Sequence, residues 1–351
     1  MHAAAPLHKP TDSSSHPLRR RGRELGWITT TAASSKSYGE YRQQWQQLQA
    51  VLLPGIIRDN LQSVESHTAR SLQWMSAIVE GTPPSQLLDS TPDHATPPLQ
   101  FDLTAISTEE HDQQAIEKLY FQGYSGSDEP LGEVWCKISW LSFHDSDASL
   151  RFRFSFGTEG VESVADNPPQ QQLAAALCQQ LFPEAVAITE NPHLLSLLHT
   201  IVDIEPISFV ERIIYFNAPN GGALFHHDVE PGHIGVIYAQ MTGRSYWLAL
   251  SKQQLIAEIR RFVNQQKIEL TCTDLADELN RAEHPELEEI IDHNPHFIRQ
   301  LVERGFGYTL HAGDAILLAQ TSDEEAVWHS VFCLGDEPGE GMSFAMRQRE
   351  R

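Results

Sequence analysis

Three side chains that can bind metal ions stand together at His226, His227 and Asp228, shortly after the pair Gly221–Gly222. In an extended strand, residues two apart project to the same face, and the residue between them faces away. His226 and Asp228 can therefore bind one ion, whereas His227 cannot join them without a local kink. The sequence predicts a metal-binding pair of the form HxD.

A third ligand is expected from a later strand. His329 lies among apolar residues in "EEAVWHSVFCLG", where an idle imidazole would be costly to bury. Two histidines and one carboxylate leave positions open around an ion, as is typical of non-haem Fe(II) oxygenases. HxD alone is a common pattern, and a lone buried histidine is more often a core residue. The prediction of His226, Asp228 and His329 as ligands therefore depends on their order: strand, HxD, strand, GD turn, strand, histidine.

The composition narrows the class of protein. Of the 351 residues, 21% are charged and 40% hydrophobic, which indicates a mainly globular chain. A net charge of −22 disfavours nucleic acid and anionic membranes as partners. No apolar run reaches the roughly 18 residues of a membrane span. The four cysteines are far apart and form no CxxC pair, which favours a reducing, cytoplasmic location.

Three regions follow from the composition and the hydrophobic periodicity. Residues 1–36 are rich in Ser, Thr and Arg, and we expect a disordered tail. Residues 37–206 are expected to be mainly helical, with a β-hairpin, and to pack on the core. Residues 207–351 are predicted to form an antiparallel barrel, because strands and Gly-containing turns alternate there. A charged helical insert over 251–305 interrupts the barrel.

Within the N-terminal region, apolar residues at spacings of three and four predict helices over 39–80. The stretch "STEEHDQQAIEKLYFQ" (107–122) opens with a Ser/Thr followed by acids and predicts a helix N-terminus. Strict alternation in "EVWCKISW" and "RFRFSF" predicts a hairpin over 133–157 with one buried face.

From residue 207 to 349 the sequence resembles the JmjC/cupin-like family of Fe(II)- and 2-oxoglutarate-dependent oxygenases. The resemblance is carried by "HHD", by "YAQMTGRSYWLAL" (238–250), by the "HAGDAILL" turn and by "WHS". It implies an α+β chain with a double-stranded β-helix (cupin/jelly-roll-like) core. It also implies that His226, Asp228 and His329 bind Fe(II) and that 2-oxoglutarate is the cosubstrate.

One departure from the family concerns the cosubstrate. Ser245 stands where the family has its cosubstrate-binding lysine, with Arg244 beside it. Related enzymes hold the distal carboxylate with an arginine on the final strand. In "GMSFAMRQR", Ser343, Ala345 and Arg347 are predicted to share one face, which would leave room for a dicarboxylate ending at a guanidinium. Arg347 and Arg244 are therefore the predicted cosubstrate-binding residues, although a surface role for Arg347 is an equal alternative.

Four further residues are predicted to line the pocket. Tyr215 and Asn217 share a face of the strand before the HxD pair, and Tyr238 and Gln240 share a face of the strand after it. Core packing explains the tyrosines equally well, whereas a buried amide needs partners and is more suggestive of a site. His233 is expected at the rim.

Three functions are compatible with these residues. The first is an Fe(II)/2-oxoglutarate-type dioxygenase, an oxidoreductase that hydroxylates or desaturates a small-molecule, amino-acid or peptide substrate. The second is an O2-dependent iron enzyme that does not use 2-oxoglutarate. The third is a cupin-like metal-binding or ligand-binding protein without oxygenase activity. In that case the helical insert could form the contact of a homodimer.

Overall fold

A computed structural model describes residues 15–30, 33–88, 99–108, 111–126, 129–158, 167–204, 206–270, 274–281 and 284–348. Helices and antiparallel strands are mixed along the chain. The strands are β1 (Ser15–Arg20), β2 (Arg23–Thr29), β3 (Val51–Leu53), β4 (Gln100–Ser107), β5 (Ala115–Tyr124), β6 (Pro130–Trp140), β7 (Leu150–Ser155), β8 (Ile207–Asn217), β9 (His233–Gln240), β10 (Arg244–Ser251), β11 (Gly307–His311), β12 (Ala315–Ala319), β13 (Val327–Leu334) and β14 (Gly339–Gln348).

The helices surround these strands and fall into an N-terminal group and an insert. They are α1 (Tyr38–Gln46), α2 (Arg58–Val79), α3 (Pro84–Leu87), α4 (Pro168–Leu181), a 3-10 turn (Pro183–Ala185), α5 (Val186–Thr189), α6 (Pro192–Val202), α7 (Lys252–Gln266), α8 (Leu275–Arg281), α9 (Pro285–His293) and α10 (Pro295–Glu303). Among the described residues, no helix combines the length and the apolar character that a membrane crossing requires.

Two sheets form the centre of the molecule. The larger has nine strands in the order β3-β12-β9-β14-β8-β7-β6-β5-β4, and the smaller has the order β11-β10-β13. Side chains from the two sheets pack against each other: the rings of Tyr238 on β9 and Trp247 on β10 are 4.7 Å apart. The arrangement is compatible with a β-sandwich core.

The two faces of β7 and β8 have different partners. Phe152 and Phe154 on β7 are buried, and both pack on Phe182, which follows α4. Arg151 and Arg153, on the other face of β7, point into a cavity between the sheets. The predicted hairpin over 133–157 is present as β6 and β7, and the arginines of β7 line this cavity.

The N-terminal hairpin β1–β2 corrects the prediction of a disordered tail over 1–36. Leu18, Leu25 and Ile28 are buried in one cluster with residues of the helical insert and β13. The segment lacks enough apolar residues for a core of its own, but it adds them to a core that the rest of the chain builds. Residues 1–14 and 31–32 lie outside the described residues.

The expected helix over 107–122 is wrong, because residues 115–124 form strand β5. β5 pairs with β4 on one side and with β6 on the other. Leu119 and Phe121 are buried at alternate positions, which the strand period requires and a helix would not produce. The acids that resembled a helix start precede the strand. The helices predicted over 39–80 are present as α1 and α2, separated by β3.

The helical insert follows β10 directly. Ser251 caps α7, because its hydroxyl oxygen accepts from the backbone N–H of Gln254. The side-chain oxygen of Gln254 in turn accepts from the backbone N–H of Ser251. The insert comprises α7 to α10, and its apolar faces pack on β10, β13 and the N-terminal hairpin.

Two carboxyl groups are fully buried: Glu340 on β14, a strand of the large sheet, and Glu184 in the 3-10 turn. Burial raises the pKa of Glu340 well above its ordinary value of 4.5, and the adjacent Glu184 adds to the effect. Below that ordinary value Glu340 is protonated in both states. Above it, the unfolded chain releases the proton first, so folding stability falls as the pH rises toward the folded pKa.

We therefore expect Glu340→Gln to stabilise the protein at pH 8 by more than about 1.4 kcal/mol, the value of one pKa unit, because glutamine has no proton to release in the unfolded chain. At pH 4 the difference from wild type should disappear. Urea unfolding at both pH values measures the effect, with the exposed Glu65→Gln on α2 as the control. A destabilised Glu340→Gln variant at pH 8 would contradict this prediction.

Candidate metal centre

The segment before the HxD pair runs tightly along β13. Gly222 has φ +138°, and a Cβ there would lie 2.0 Å from the carbonyl oxygen of Val331. Glycine is therefore required at this position for the close approach. Ala223 exchanges two backbone hydrogen bonds with Val331, at 3.1 and 2.9 Å. This pairing fixes the register of the residues that follow.

The same register brings His226 opposite His329. The two residues form an antiparallel bridge in which each backbone N–H donates to the other's carbonyl, at 3.0 and 2.9 Å. Their rings lie 4.2 Å apart. Residues 103 positions apart in the chain are thus neighbours because of backbone pairing.

The Asp228 carboxylate lies near both imidazoles. Its Oδ1 is 3.5 Å from Nε2 of His226, and its Oδ2 is 3.5 Å from Nε2 of His329. All three ligand atoms lie within 4.8 Å of one another. Nδ1 of His226 is 2.8 Å from the carbonyl oxygen of Leu224, so donation there leaves Nε2 available to an ion on the side of Asp228. The donor set, two imidazoles and one carboxylate, fits a divalent transition metal.

The electrostatics of Asp228 and His329 favour this role. Burial opposes charge on Asp228, but His329 and His226 outweigh it and hold the pKa of that carboxyl well below its usual range. Burial lowers the pKa of His329 to about 3, which keeps its imidazole neutral. For His226, the Asp228 carboxylate outweighs burial and raises the pKa, so this imidazole gives up a proton when an ion binds. An ionised carboxylate and neutral imidazoles are the forms that bind metal.

The third member of the triplet, His227, faces elsewhere. Its ring meets Trp328 edge-on at 5.0 Å, and its Nε2 is 4.0 Å from Asp323. The His329 ring instead stacks on Trp247, with centroids 5.2 Å apart and an angle of 19°. Stacking on a buried indole fixes the orientation of this imidazole.

A cavity of about 280 Å³ opens onto the three side chains. The side chains of His226 and Asp228 are 41% and 38% exposed toward it, whereas that of His329 is 3% exposed. Of the predicted pocket residues, Tyr215, Asn217 and Tyr238 line the cavity. An ion held here would keep positions open on the side of His226 and Asp228.

Gln240, the fourth predicted pocket residue, does not line the cavity. Its Oε1 accepts from the hydroxyl groups of Ser245 (2.6 Å) and Tyr238 (3.2 Å). Asn217 Nδ2 donates to the Tyr238 hydroxyl, and Trp247 Nε1 donates to Ser245. The position expected for the cosubstrate-binding lysine is therefore part of an uncharged hydrogen-bond network.

The structure does not bring Arg347 or Arg244 to this cavity. Arg347 lines a separate cavity, because the register of β14 shifts between Phe344 and Met346 against β8 and again before Arg347 against β9. These shifts break the strict alternation that would align Arg347 with Ser343, which does line the metal cavity. Arg244 Nη1 lies 3.4 Å from Nε2 of His16 on β1.

Two other arginines line the metal cavity, Arg151 and Arg153 on β7. Arg151 lies opposite Tyr215 in the β7–β8 register. Its Nε is buried, and it makes no hydrogen bond or ion pair with any residue that the structure describes. The alternation of "RFRFSF" signals a polar face, but only the pairing of β7 with β8 shows that this face meets the metal centre.

A second group near the cavity, Glu211, Glu230 and His233, could also hold an ion by distance alone. Arg153 already supplies a positive charge there: its Nη2 is 2.5 Å from Glu211 and 3.5 Å from Glu230. His233, expected at the rim, is buried at the start of β9. The charge balance therefore favours the His226, Asp228 and His329 group for a metal ion.

The fold is compatible with a β-sandwich core, and these side chains form a candidate two-histidine, one-carboxylate site. No family model matches the sequence, and no curated protein matches it. Among solved structures, the chain is similar to an oxidoreductase of the 2OG-Fe(II) oxygenase family from Burkholderia pseudomallei, with a TM-score of 0.37 and 8% identity over 91% of this chain and 95% of that one.

A second solved structure is the ribosomal oxygenase YcfD of Escherichia coli, with a TM-score of 0.22 and 17% identity. The similarity covers 47% of this chain and 31% of that protein. Both similarities are too low to transfer a function. The functional assignment therefore depends on the residues of the site itself.

Proposed function

We propose that this chain is a non-haem Fe(II)-dependent oxygenase that uses O2 and 2-oxoglutarate to hydroxylate or desaturate a small-molecule, amino-acid or peptide substrate. The observation that carries the proposal is the convergence of His226, Asp228 and His329 at an open cavity. Two imidazoles and a carboxylate on one side of an ion leave the other side for cosubstrate and O2.

The strand order supports a double-stranded β-helix as the core. Four strands of the large sheet, in the order β12-β9-β14-β8, lie against the smaller sheet β11-β10-β13. The bridge between His226 and His329 extends the smaller sheet beyond β13 by one short segment. Four strands facing three strands and a strand-like segment match an eight-stranded jelly roll with its site between the sheets.

In this proposal, His226, Asp228 and His329 would hold the iron. When bound, Fe(II) supplies the activation of O2 and the oxidising chemistry. The chain fixes the ligands before binding: Leu224 orients the His226 imidazole, and Trp247 holds that of His329. This preorganisation reduces the entropy lost when the ion binds.

The cavity also provides a site for an organic acid. Arg151 presents a guanidinium without a partner among the described residues, so it can bind a carboxylate through charge-assisted hydrogen bonds. The apolar side chains Val236 and Leu318 line the same cavity and limit the access of water. We assign Arg151 the role that the sequence assigned to Arg347 and Arg244.

Oxygen consumption by the metal-free protein tests the proposal after Fe(II) is added, with and without 2-oxoglutarate. We expect one ion bound per chain, and Fe(II)-dependent O2 consumption that rises with 2-oxoglutarate and yields succinate. Fe(II)-dependent consumption that ignores 2-oxoglutarate would favour the O2-dependent iron enzyme. That alternative has structural support, because Ser245 and Gln240 form a neutral network at the family's lysine position. A protein that binds no ion would favour the cupin-like binding protein.

Replacing Arg151 by methionine is expected to raise the KM for 2-oxoglutarate by roughly 10- to 100-fold. The lost hydrogen bonds to a charged partner are worth about 1.5–3 kcal/mol, and about 1.4 kcal/mol corresponds to tenfold. Succinate formation at varied 2-oxoglutarate measures the effect. Arg347→Met and Arg244→Met are matched controls and should leave this KM unchanged. A higher KM in either control, with a normal KM for Arg151→Met, would return the role to the sequence-predicted arginines.

A further inference from the structure

A second cavity, of about 520 Å³, lies on the other side of β8 from the candidate metal centre. Its walls come from α4, α5, β8 and the end of β14. Arg212 lines this cavity, whereas its chain neighbours Glu211 and Ile213 line the metal cavity. The two cavities have no lining residue in common, so a ligand here would occupy a site separate from the proposed reaction.

Arg212 is buried at the wall of this cavity, with 7% of its surface exposed. Its Nη1 donates to the carbonyl of Val210 (2.9 Å) and to Gln171 Oε1 (3.2 Å), and its Nη2 donates to the carbonyl of Phe209 (2.6 Å). All three acceptors are uncharged. Within the described ranges, no carboxylate lies within ion-pair distance of this guanidinium. Burial lowers its pKa to about 10, so it stays protonated at neutral pH.

A buried charge without a counter-ion is costly, and an anion bound beside it would offset that cost. The other lining residues indicate which anion. Arg347 adds a second guanidinium, while Phe209, Phe344 and Ala175 add apolar surface. The acid in the wall, Glu190, is exposed, and its Oε1 accepts from Gln179 Nε2 at 3.0 Å. A positive, partly apolar cavity contrasts with the net charge of −22 of the whole chain.

We propose that this cavity is a binding site for an organic carboxylate with an apolar body. Its carboxylate would lie against Arg212 and Arg347, and its apolar part against Phe209, Phe344 and Ala175. The volume lies within the range of roughly 300–1,000 Å³ that small-molecule sites occupy. The site is independent of the metal, because Arg212 and the apolar wall are on the opposite face of β8.

Calorimetric titration of the full, metal-free chain with octanoate tests the site, with 1-octanol and inorganic phosphate as comparison ligands. We expect octanoate to bind at least tenfold more tightly than either of the other two. Arg212→Met should weaken octanoate binding by about 10- to 100-fold, the effect of losing a hydrogen-bonded charge. Equal binding of octanoate and octanol would leave only an apolar crevice and overturn the proposal. Equal binding of phosphate would overturn the organic class of ligand.

Two further variants keep the test clear if Arg212→Met folds poorly. Ala175→Phe retains Arg212 but fills the cavity, so octanoate binding should be lost while the melting temperature stays near that of wild type. Asp228→Ala should bind octanoate normally, because the metal centre takes no part. Failure of the oxygenase proposal would leave this result unchanged. No octanoate binding to wild type at millimolar concentration, or unchanged binding in Ala175→Phe, would refute the site.

Discussion

Asp228→Ala is expected to lower the affinity for divalent metal by more than about 100-fold, beyond the 10- to 100-fold typical of residues that only support a ligand. The reason is geometric. The Asp228 carboxylate lies 3.5 Å from Nε2 of both His226 and His329, so its removal leaves two imidazoles without a charged ligand. Visible absorption of bound Co(II), with metal analysis after dialysis, measures the change. O2 consumption should fall with the bound metal.

His227→Ala is the matched control, because it removes the neighbouring imidazole from the same turn. His227 faces Trp328 and Asp323 and is not one of the proposed ligands, so the metal affinity of this variant should stay within about threefold of wild type. Thermal unfolding of the metal-free variants separates lost binding from lost folding. Normal metal binding by Asp228→Ala would mean that the ion binds elsewhere. Glu211, Glu230 and His233 would then be the group to test next.

The sequence was sufficient to predict which side chains of the HxD segment meet, because that question is local. The period of a strand separates His226 and Asp228 from His227, and the structure places them accordingly. The pairing with His329 could be predicted only through the order of strands. What makes it possible is the contact of Gly222 with Val331, a backbone contact that no sequence pattern specifies.

The arginines show where strand periodicity fails. Alternation along β14 predicts that Arg347 follows Ser343 into the metal cavity, but two register shifts direct Arg347 to the second cavity. Arg151 was missed because its strand partner could not be predicted. Its alternation was recognised, but the partner of its polar face depends on the pairing of β7 with β8, across the intervening helices α4 to α6.

The N-terminal segment was the largest error, and composition explains it. Residues 1–36 have too few apolar side chains to fold alone, and the rule for disorder considers only the segment itself. Leu18, Leu25 and Ile28 enter a cluster whose other members lie more than 190 residues later in the chain. A rule based on local composition cannot detect a core that a distant part of the chain supplies.

The same hairpin carries the second large expected effect: Arg20→Met should destabilise the folded protein by about 3–5 kcal/mol. Arg20 is 2% exposed, and its Nη2 lies 3.0 Å from Asp292 Oδ1. Burial lowers the pKa of Arg20 and raises that of Asp292 despite their pairing. Removal of one partner would leave an uncompensated buried charge, which is the source of the expected cost. Urea unfolding of the metal-free protein measures it.

Arg23→Met is the control within the hairpin. Arg23 Nη1 lies 3.4 Å from Glu289, but the two side chains are 55% and 63% exposed. An exposed pair contributes about 0–1 kcal/mol, so this variant should remain close to wild type. A similar loss in both variants would mean that the hairpin, and not the buried charge pair, determines the effect.

Arg20 also supports the metal ligands, and this role predicts a second readout. Its guanidinium donates to the carbonyl of Ala223 at 2.6 Å and to the Ser330 hydroxyl at 2.5 Å. Asp292 accepts from the backbone N–H of Phe225 at 2.8 Å. These contacts flank His226 on one strand and His329 on the other. We therefore expect Arg20→Met to lower the Co(II) affinity by about 10- to 100-fold, as loss of an outer partner does.

The double variant Arg20→Met with Asp292→Leu separates the two effects. An apolar pair of similar volume removes the unpaired charge, so the stability should recover toward wild type. The Co(II) affinity should not recover, because leucine cannot accept from the Phe225 N–H and methionine cannot donate to Ala223. If both the stability and the Co(II) affinity recover, Arg20 has only a structural role. Recovery of stability alone would establish that the N-terminal hairpin positions the metal centre.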